Sequence, residues 1–458
     1  MKARRTKGKV KALELEVIRR DVAGLDLGSR EHYVCAPAAD GQGREVERFG
    51  ATTGELYRLV QWLKARGVRS VAMESTGVYW IPVYEVLEHH GLEAVLVNAR
   101  ALKSVPGRKT DVLDAQWIQM LHSCGLLKGA FRPGDEVCAL RALIRERSTL
   151  TQAAADWIRR MQKCLDQMNI RVHHAVADLT GVTGMAIVRA IVAGERDPQA
   201  LAGLRDRRCH KSVEEIVAYL EGNWRSEHLF VLEQALKTYD FLQERLGQFD
   251  AQILLQLHAL EHPTAAASPA ARDVAPAKLS RMRKRGQQPL HEALRRMSGV
   301  DLTTIDGLGV ETVQVVQSEI GTDVSAFPTE HHFVSYLKLA PKLAISGGKP
   351  VASKKRLSTS TRVGAALRMA ATTLRYSKTA LGAEFRRLAR LKGAGVAVFA
   401  MARKLAILIY RLLKFGQSYV DQGVQAYEER FRQRRLAACH SMAMSLGLQI
   451  LTPETTTP

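Results

Sequence analysis

The sequence has 458 residues, 46% of them hydrophobic, which is enough for two to four domains with their own cores and excludes a largely disordered chain. Its net charge is +21, and an excess of that size favours a polyanionic partner, most often nucleic acid. The excess is concentrated in residues 331–414, where 18 Lys and Arg stand against one acid, a net charge of +17. A surface that only has to stay soluble mixes both signs. We therefore expect this segment to lie along phosphates, and the alternative is a solvated basic face without a ligand.

Targeting and membrane signals are weak in this chain. The first residues lack the apolar run of a signal peptide. The apolar stretch 394–413 is interrupted by Arg403, Lys404 and Arg411, so it predicts a buried helix or one that backs DNA, and not a membrane span. We expect a cytoplasmic protein that does not enter a membrane.

Residues 21–134 alternate strand and helix patterns. The predicted elements are, in order, strands at 22–27, 32–36 and 45–49, a helix from Thr52 or Thr53 to Arg66, a strand at 68–73, a helix at 79–90, a strand at 92–97 and a helix at 111–121. Three hairpin-linked strands followed by helix, strand, helix and strand are the order of an α/β ribonuclease-H-like domain, also called RuvC-like. The last helix is expected to lie against the sheet, with Leu113, Trp117 and Leu121 on one face.

Four carboxylates fall at telling places in this domain. Asp26 and Glu74 close the first and fourth strands, which lie side by side in such a sheet, while Asp111 and Asp114 stand three apart on the helix. Like charges gathered at one point are costly unless cations hold them, and Mg²⁺ (or Mn²⁺) is most at home among hard oxygens. The set therefore predicts a site for two ions that acts on phosphodiesters. Taken singly, each acid has a plain alternative, such as a turn residue at Asp26 or a helix N-terminal residue at Asp111.

Residues 135–261 change to long helical patterns. Apolar residues at three-four spacing run from Leu143 to Met168 and again from Leu229 to Leu260. Two such helices predict an antiparallel coiled-coil arm or a dimerisation element, and ordinary packing within one subunit is the alternative. A basic linker at 262–297 is expected to be flexible in the free protein and to order on nucleic acid, and a tail follows at 421–458.

The second domain, 298–420, carries two further motifs. Ser346 precedes two glycines, which let a backbone approach phosphate closely, and it is a candidate nucleophile with Ser353, Ser358 and Ser360 as competitors. Residues 304–309 enter a helix at 310–320 in the manner of a helix-hairpin-helix, whose backbone N–H groups grip phosphate, or form a plain turn. The candidate nucleic-acid-binding residues of the chain are Lys109, Gly307, Gly309, Lys349, Lys354, Lys355, Arg356, Arg362 and Arg368.

Together these motifs resemble the DEDD transposases of the insertion-sequence 110 group, described as bridge-RNA-guided recombinases. The resemblance covers nearly the whole chain and rests on the segments 24–28, 73–77, 109–115, 305–309, 336–341 and 346–349. The sequence departs from the family pattern at Asp306, where proline is usual, and in 357–364, where a Lys-Gly-Asn-like turn is more usual.

The resemblance implies that the C-terminal domain is a mainly α serine transposase domain. It also implies a composite active site, formed by this domain together with the acid domain. Asp26, Glu74, Asp111 and Asp114 would be the metal-binding acids, and Ser346 would form a transient phosphoserine link to DNA. It also implies dimers that pair into tetramers, with the acid domain of one subunit meeting the serine domain of another. Its further partners would be donor and target DNA and a non-coding guide RNA of the element, in the nucleoid of a prokaryotic cell.

Three other functions remain open from the residues. A RuvC-like junction-resolving nuclease would use the same acids with water as the nucleophile. A non-catalytic nucleic-acid binder would keep only the fold. An actin-like ATPase would use residues 24–29 as its first phosphate loop, although the helix after residue 309 and the basic segment have no use in such an enzyme.

Overall fold

The chain divides into two compact units, which meet in the sequence between Arg132 and Pro133. A computed structural model describes residues 16–75, 77–98, 111–209, 211–261, 282, 285–340, 344–346, 349–351, 361–416 and 423–448, of which 111–113, 344–346 and 349–351 are described by their backbone.

The first unit is an α/β domain around a five-stranded sheet. Its elements are β1 (Val22–Leu27), β2 (Glu31–Pro37), β3 (Arg44–Gly50), α1 (Thr53–Ala65), β4 (Ser70–Glu74), α2 (Trp80–His89), β5 (Glu93–Val97) and α3 (Asp111–Ser123). The predicted order is confirmed, and each predicted end lies within two residues of the observed one. Thr52 precedes α1 as expected, but its side chain makes no capping hydrogen bond.

The sheet is mixed, with strand order β3-β2-β1-β4-β5. β1 runs antiparallel to β2 and parallel to β4, and the parallel register pairs Leu25 with Met73. Continued by one residue, this register sets Asp26 beside Glu74. Both acids therefore lie at the carboxyl ends of two adjacent parallel strands.

The two faces of the sheet are covered by different helices. Leu25 and Met73 point into a core closed by α1 and α2. Because side chains alternate along a strand, Asp26 and Glu74 point to the opposite face. There Ala72 and Val97 pack against Ile118 of α3.

Close contact between α3 and β1 depends on Gly24. A Cβ atom at this position would lie 2.2 Å from the backbone nitrogen of Gln119 and 2.6 Å from the carbonyl oxygen of Ala115. The side-chain amide of Gln119 also donates to the carbonyl oxygen of Val22 at 3.3 Å. The absence of a side chain at Gly24 thus sets how near α3 comes to the strand that carries Asp26.

A buried histidine holds the far end of α3. Nε2 of His122 lies 2.8 Å from Oγ of Ser70, and both side chains are buried. Burial lowers the pKa of His122 from its ordinary value of 6.5, with Arg19 adding to this effect and Glu93 and Asp21 opposing it. Below that ordinary value the unfolded chain takes up a proton that the folded chain refuses. We therefore expect the free energy of unfolding to be highest above about pH 6.5 and to fall as the pH drops toward the lowered pKa.

The measurement is the urea midpoint of the protein between about pH 7.5 and pH 5. His122→Gln keeps a hydrogen-bond partner for Ser70 but cannot take up the proton, so its midpoint should depend less on pH than that of the unchanged protein. Equal pH dependence in the two proteins would contradict the assignment to His122.

The second unit is mainly helical and opens with an antiparallel helix pair. α4 (Asp135–Gln167) and α9 (Ser226–Ala259) are the two long helices, each more than 30 residues. Between them lie four short helices: α5 (Val172–Ala175), α6 (Val182–Ala193), α7 (Pro198–Gly203) and α8 (Val213–Leu220). Met161 of α4 and Leu232 of α9 share a core with these short helices.

Charged residues that interrupt the apolar seams of the long helices pair with each other. Arg147 of α4 forms a bidentate ion pair with Asp250 of α9, in which Nη2 lies 3.0 Å from Oδ2. Next to it, Ala154 packs between Leu242 and Leu246. The two helices therefore pack on each other within one chain, and the polar interruptions match in register.

The remaining elements form a helical assembly with one small hairpin. They are α10 (Gln288–Ser298), α11 (Val310–Ile320), α12 (Glu330–Tyr336), β6 (Ala344–Ser346), β7 (Lys349–Val351), α13 (Arg362–Thr373), α14 (Ala380–Lys392), α15 (Ala394–Phe415) and α16 (Gly423–Ser445), with short 3₁₀ turns at Leu302–Thr304 and Leu374–Tyr376. α11 is tied to α4, because Arg145 grips the Glu319 carboxylate at 2.9 and 2.7 Å.

Candidate active site and nucleic-acid contacts

A cleft of about 660 Å³ opens at the carboxyl ends of β1 and β4. It is lined by residues of β1, the β1–β2 turn, β2, β4 and α3, namely Asp26, Leu27, Gly28, Ser29, Arg30, Glu31, Tyr33, Glu74 and Asp114. The strand ends supply Asp26 and Glu74, and α3 supplies Asp114 from the opposite wall. Three of the four predicted acids therefore line one cleft.

The three acids are half-buried, so they face both the protein and the open cleft. Asp114 lies one residue before Ala115, whose carbonyl oxygen marks the close approach of α3 to Gly24. The packing of α3 on β1 thus positions this third carboxylate. Asp111 begins α3, and its side chain lies outside the described part of the chain.

A second polar cluster lies beside the acids on the same sheet face. The strand register pairs Asp26 with Tyr33 and Tyr33 with Arg48, so these three side chains form one row across β1, β2 and β3. The Tyr33 hydroxyl donates to Glu31 Oε1 at 3.0 Å, and Arg48 Nη1 donates to Glu31 Oε2 at 3.1 Å. The hydrogen bond to Glu31 raises the pKa of Tyr33 above its ordinary 10.0, which keeps the phenol protonated. Glu31 is therefore engaged by both Tyr33 and Arg48.

The acids suit a divalent ion in their chemistry. Hard carboxylate oxygens are the usual protein ligands of Mg²⁺ and Mn²⁺, and three of them, from three elements, line the cleft. Within the described residues, no group of three His, Cys, Asp or Glu side chains is arranged closely enough to hold a metal ion by itself. The chemistry of these carboxylates therefore fits such an ion. To coordinate one together, the side chains would have to move closer to each other.

The predicted nucleophile lies on the hairpin of the second unit. Ser346 ends β6 and is paired with Lys349, the first residue of β7, and only Gly347 and Gly348 separate them in the sequence. The pairing sets a lysine opposite the serine on adjacent strands. The competing serines Ser353, Ser358 and Ser360 lie outside the described residues, as do Lys354, Lys355, Arg356 and Lys109.

The predicted phosphate-gripping turn lies between α10 and α11. These helices pack together, and the side chain of Gln317 donates to the carbonyl oxygen of Leu294 at 3.2 Å. Gly307 has φ +87°, and a Cβ atom there would meet Leu374 at 3.0 Å, so both its backbone and its surroundings favour glycine. Gly309 precedes the first residue of α11.

The two remaining basic candidates lie on α13. Arg362 begins this helix and is half-exposed, 3.9 Å from Glu319. Arg368 lies over the ring of Phe399, 5.1 Å from its centroid. Both residues lie within the basic segment 331–414.

Two models of transposase families match the chain. The model of the DEDD transposases of the IS110 type matches residues 23–170, and that of the transposase IS116/IS110/IS902 family matches residues 300–387. The chain belongs to the IS110 family of DEDD transposases. A search among curated proteins returned no match to it.

This transposase is a DNA-recombining enzyme, so DNA is its substrate, and DEDD transposases generally use a divalent metal. The first matched segment contains all four predicted acids, and the second contains Ser346 and the 306–309 turn. Of the helices described in the transposase, none is long and apolar enough to cross a membrane.

Two of the residues that line the transposase cleft were not identified from the sequence. Tyr33 and Arg30 line it together with the acids. Tyr33 is found from the pairing of β1 with β2, which sets it opposite Asp26. Arg30 lies on the short β1–β2 turn, where a lone arginine carries no pattern of its own. Strand alternation on β2 was the available signal for Tyr33, once the register to β1 was known.

Proposed function

We propose that the transposase cuts and rejoins DNA with a metal-binding acid cluster and a serine nucleophile, and that an RNA from its own element guides it. Asp26, Glu74, Asp111 and Asp114 would hold Mg²⁺, or Mn²⁺ in its place. The observation that supports this most is the cleft lined by three acids from three separate elements. A structural role alone gives no reason for unlike elements to bring carboxylates to one opening.

The carboxylates have two tasks in this scheme. They would bind the ions in the cleft, and their positions at two strand ends and on α3 would determine where an ion can hold the scissile phosphate. The bound ions would polarise the phosphate and balance the charge that develops on its oxygens. Arg30, on the turn at the cleft, supplies a cation for a neighbouring phosphate of the strand.

Ser346 would attack the phosphorus. Its hydroxyl loses a proton and forms a new P–O bond while one bond from phosphorus to deoxyribose oxygen breaks, which leaves a phosphoserine and a free DNA hydroxyl. Rejoining reverses this exchange on another strand. A serine hydroxyl is a weak nucleophile, and cations of the basic segment that contains it would stabilise the charged transition state.

Nucleic-acid contacts are proposed along the basic segment 331–414, at the 306–309 turn and at Lys109. Lys109, Gly307, Gly309, Lys349, Lys354, Lys355, Arg356, Arg362 and Arg368 would bind phosphates of donor DNA, target DNA or guide RNA. The net charge of +17 in residues 331–414 supports phosphate binding. The role of RNA rests on the family resemblance, since charge alone does not distinguish RNA from DNA.

We further propose that the transposase works as a dimer that pairs into a tetramer. Phe230, Phe241 and Leu255 are each more than half exposed on α9. They are about three and four helical turns apart and so lie on one face of the helix, which supports a contact with another subunit. The corresponding division is a catalytic domain at 21–134, a coiled-coil arm at 135–261, a linker at 262–297, a serine domain at 298–420 and a tail at 421–458.

A covalent adduct tests this function. Incubated with Mg²⁺, circular DNA carrying the element ends and the flanking transcript, the transposase should form a protein–DNA adduct that resists denaturant and disappears in Ser346→Ala. Ser353→Ala, Ser358→Ala and Ser360→Ala are the matched controls and should keep the adduct. The measurement is the mass of the peptide that retains the nucleotide.

Other results of the adduct experiment would indicate other functions. Cleavage that persists in Ser346→Ala without an adduct would indicate a junction-resolving nuclease that uses water. If the adduct moves to another serine, the acids stand and the assignment of the nucleophile fails. Omission of the transcript tests guidance by RNA separately, because an active transposase without it would not need the RNA.

A further inference from the structure

A second cavity of about 840 Å³ lies in the C-terminal unit, between the 306–309 turn and the end of α13. Its lining includes Arg285, Thr312, Met369, Thr373 and Tyr376. This volume is in the range of pockets that hold small molecules and single nucleotides. It is too small for a duplex, which presents a groove about 12 Å wide and many base pairs long.

Tyr376 is the unusual member of this lining. Its side chain is 81% exposed, although large aromatic residues normally bury most of their surface. The guanidinium of Arg375 lies 5.7 Å from the centre of the ring, and Met369 beside the cavity is 69% exposed. An aromatic platform is thus presented to solvent, with a cation over one side of the ring.

The segment that carries Tyr376 is held firmly. Leu374, two residues before it, is fully buried, and its side chain would touch a Cβ atom at Gly307 at 3.0 Å. On the other side, Arg386 donates to the carbonyl oxygens of Arg375 at 3.3 Å and Ser377 at 2.6 Å. With the backbone held in this way, only the two side-chain torsions of Tyr376 have to be fixed when the ring stacks on a ligand.

The charge around the platform selects the class of ligand. Residues 361–416 contain 12 Lys and Arg and one acid, Glu384. The cavity lining includes both a cation, Arg285, and a carboxylate, Asp306, so a wholly anionic ligand is disfavoured next to that carboxylate. A suitable ligand has an anionic part for the surrounding cations and an uncharged, hydrogen-bonding aromatic part that can lie near the carboxylate. A nucleotide has this composition.

We propose that this cavity binds one unpaired nucleotide of a nucleic-acid strand. The base stacks on Tyr376, the hydroxyls of Thr312 and Thr373 are available to its polar edge, and Arg375 and Arg285 bind the adjoining phosphates. The proposal rests on the nucleic-acid contacts proposed for Gly307 and Gly309, which line this cavity, but it depends neither on the metal nor on the nucleophile Ser346.

The test is binding of labelled ten-nucleotide strands, oligo-dT and oligo-U, to the full-length protein in EDTA, measured by fluorescence anisotropy. Tyr376→Ala should weaken binding of a single strand about tenfold, with an unchanged dependence on salt, because stacking involves no counterion release. Tyr376→Phe keeps the ring and should bind as the unchanged protein does. Arg375→Ala should lower the salt dependence by about one ion.

Two controls make the result specific. Tyr57→Ala removes an exposed aromatic of α1, which is not part of the cavity lining, and should leave strand binding unchanged. A ten-base-pair duplex should bind equally to the unchanged protein and to Tyr376→Ala. A strand with 5-iodouracil should crosslink to Tyr376 under light, and the crosslinked residue is identified by mass spectrometry.

Several results would overturn the proposal. Equal single-strand binding by the unchanged protein and Tyr376→Ala, with no crosslink at Tyr376, would reject the stacking site. Equal losses for strand and duplex would point to a general phosphate surface. Competition by thymidine monophosphate at concentrations far below those of the strand would assign the cavity to a free nucleotide.

Discussion

We expect Asp26→Asn to abolish strand cleavage while the protein remains folded. The carboxylate lies near the end of β1 and lines the cleft with Glu74 and Asp114, and asparagine keeps its shape but removes the charge that would bind a divalent ion in the proposed function. Loss of one charged ligand of a phosphoryl-transfer site lowers the rate by about 10³-fold or more. The measurement is the yield of adduct and of cleaved strand at a fixed protein concentration, with the urea midpoint recorded for the same sample.

Stability should move in the opposite direction to activity, or not at all. Half-buried carboxylates at one cleft repel one another, so removal of one charge relieves that repulsion. We therefore expect the urea midpoint of Asp26→Asn to equal or exceed that of the unchanged protein. A lower midpoint together with lost cleavage would mean that Asp26 supports the fold, and the metal-binding role would then lack its main support.

Asp21→Asn is the matched control. Asp21 precedes β1 at its other end and pairs with Arg19 at 3.5 Å, a half-exposed contact worth about 1 kcal/mol or less. Both variants replace an aspartate by asparagine next to or within β1, but Asp21 lies at the end of the strand that is opposite to the cleft. Full cleavage by Asp21→Asn, set against its loss in Asp26→Asn, ties the effect to the cleft.

The sequence predicts much of the first unit for a physical reason. Hydrophobic periods fixed the order of its elements, and parallel β1 and β4 bring Asp26 and Glu74 to the same edge because their carboxyl ends coincide. The second unit is less open to this reasoning. Arg147 and Asp250 interrupt two apolar seams, and only the antiparallel register of α4 and α9 reveals that they pair.

The cleft itself combines predictable and unpredictable features. The position of Tyr33 depends on the register between β1 and β2, which a local pattern does not specify. In the same way, a glycine inside a strand signals a bulge, a bend or a close contact without saying which. At Gly24 the close contact is with the backbone of α3.

We expect Gly24→Ala to move α3 away from the sheet and thereby to reduce activity although no acid is changed. Its Cβ atom would lie 2.2 Å and 2.6 Å from backbone atoms of α3, which cannot rotate away as a flexible side chain can. The helix must move, and overpacking of this kind costs about 1–3 kcal/mol of stability. Because Asp114 lies on the displaced helix, cleavage should fall by about 10²-fold even at temperatures where the protein is folded.

Gly54→Ala distinguishes displacement from a general effect of adding a methyl group. Gly54 lies in α1, and nothing is within 4 Å of the added atom. Alanine in a helix is favoured over glycine by about 0.5–1 kcal/mol, so this variant should be as stable as the unchanged protein or more so, with full activity. If Gly24→Ala keeps both its urea midpoint and its cleavage rate, α3 does not need its close approach to β1, and the position of Asp114 on that helix does not control the reaction.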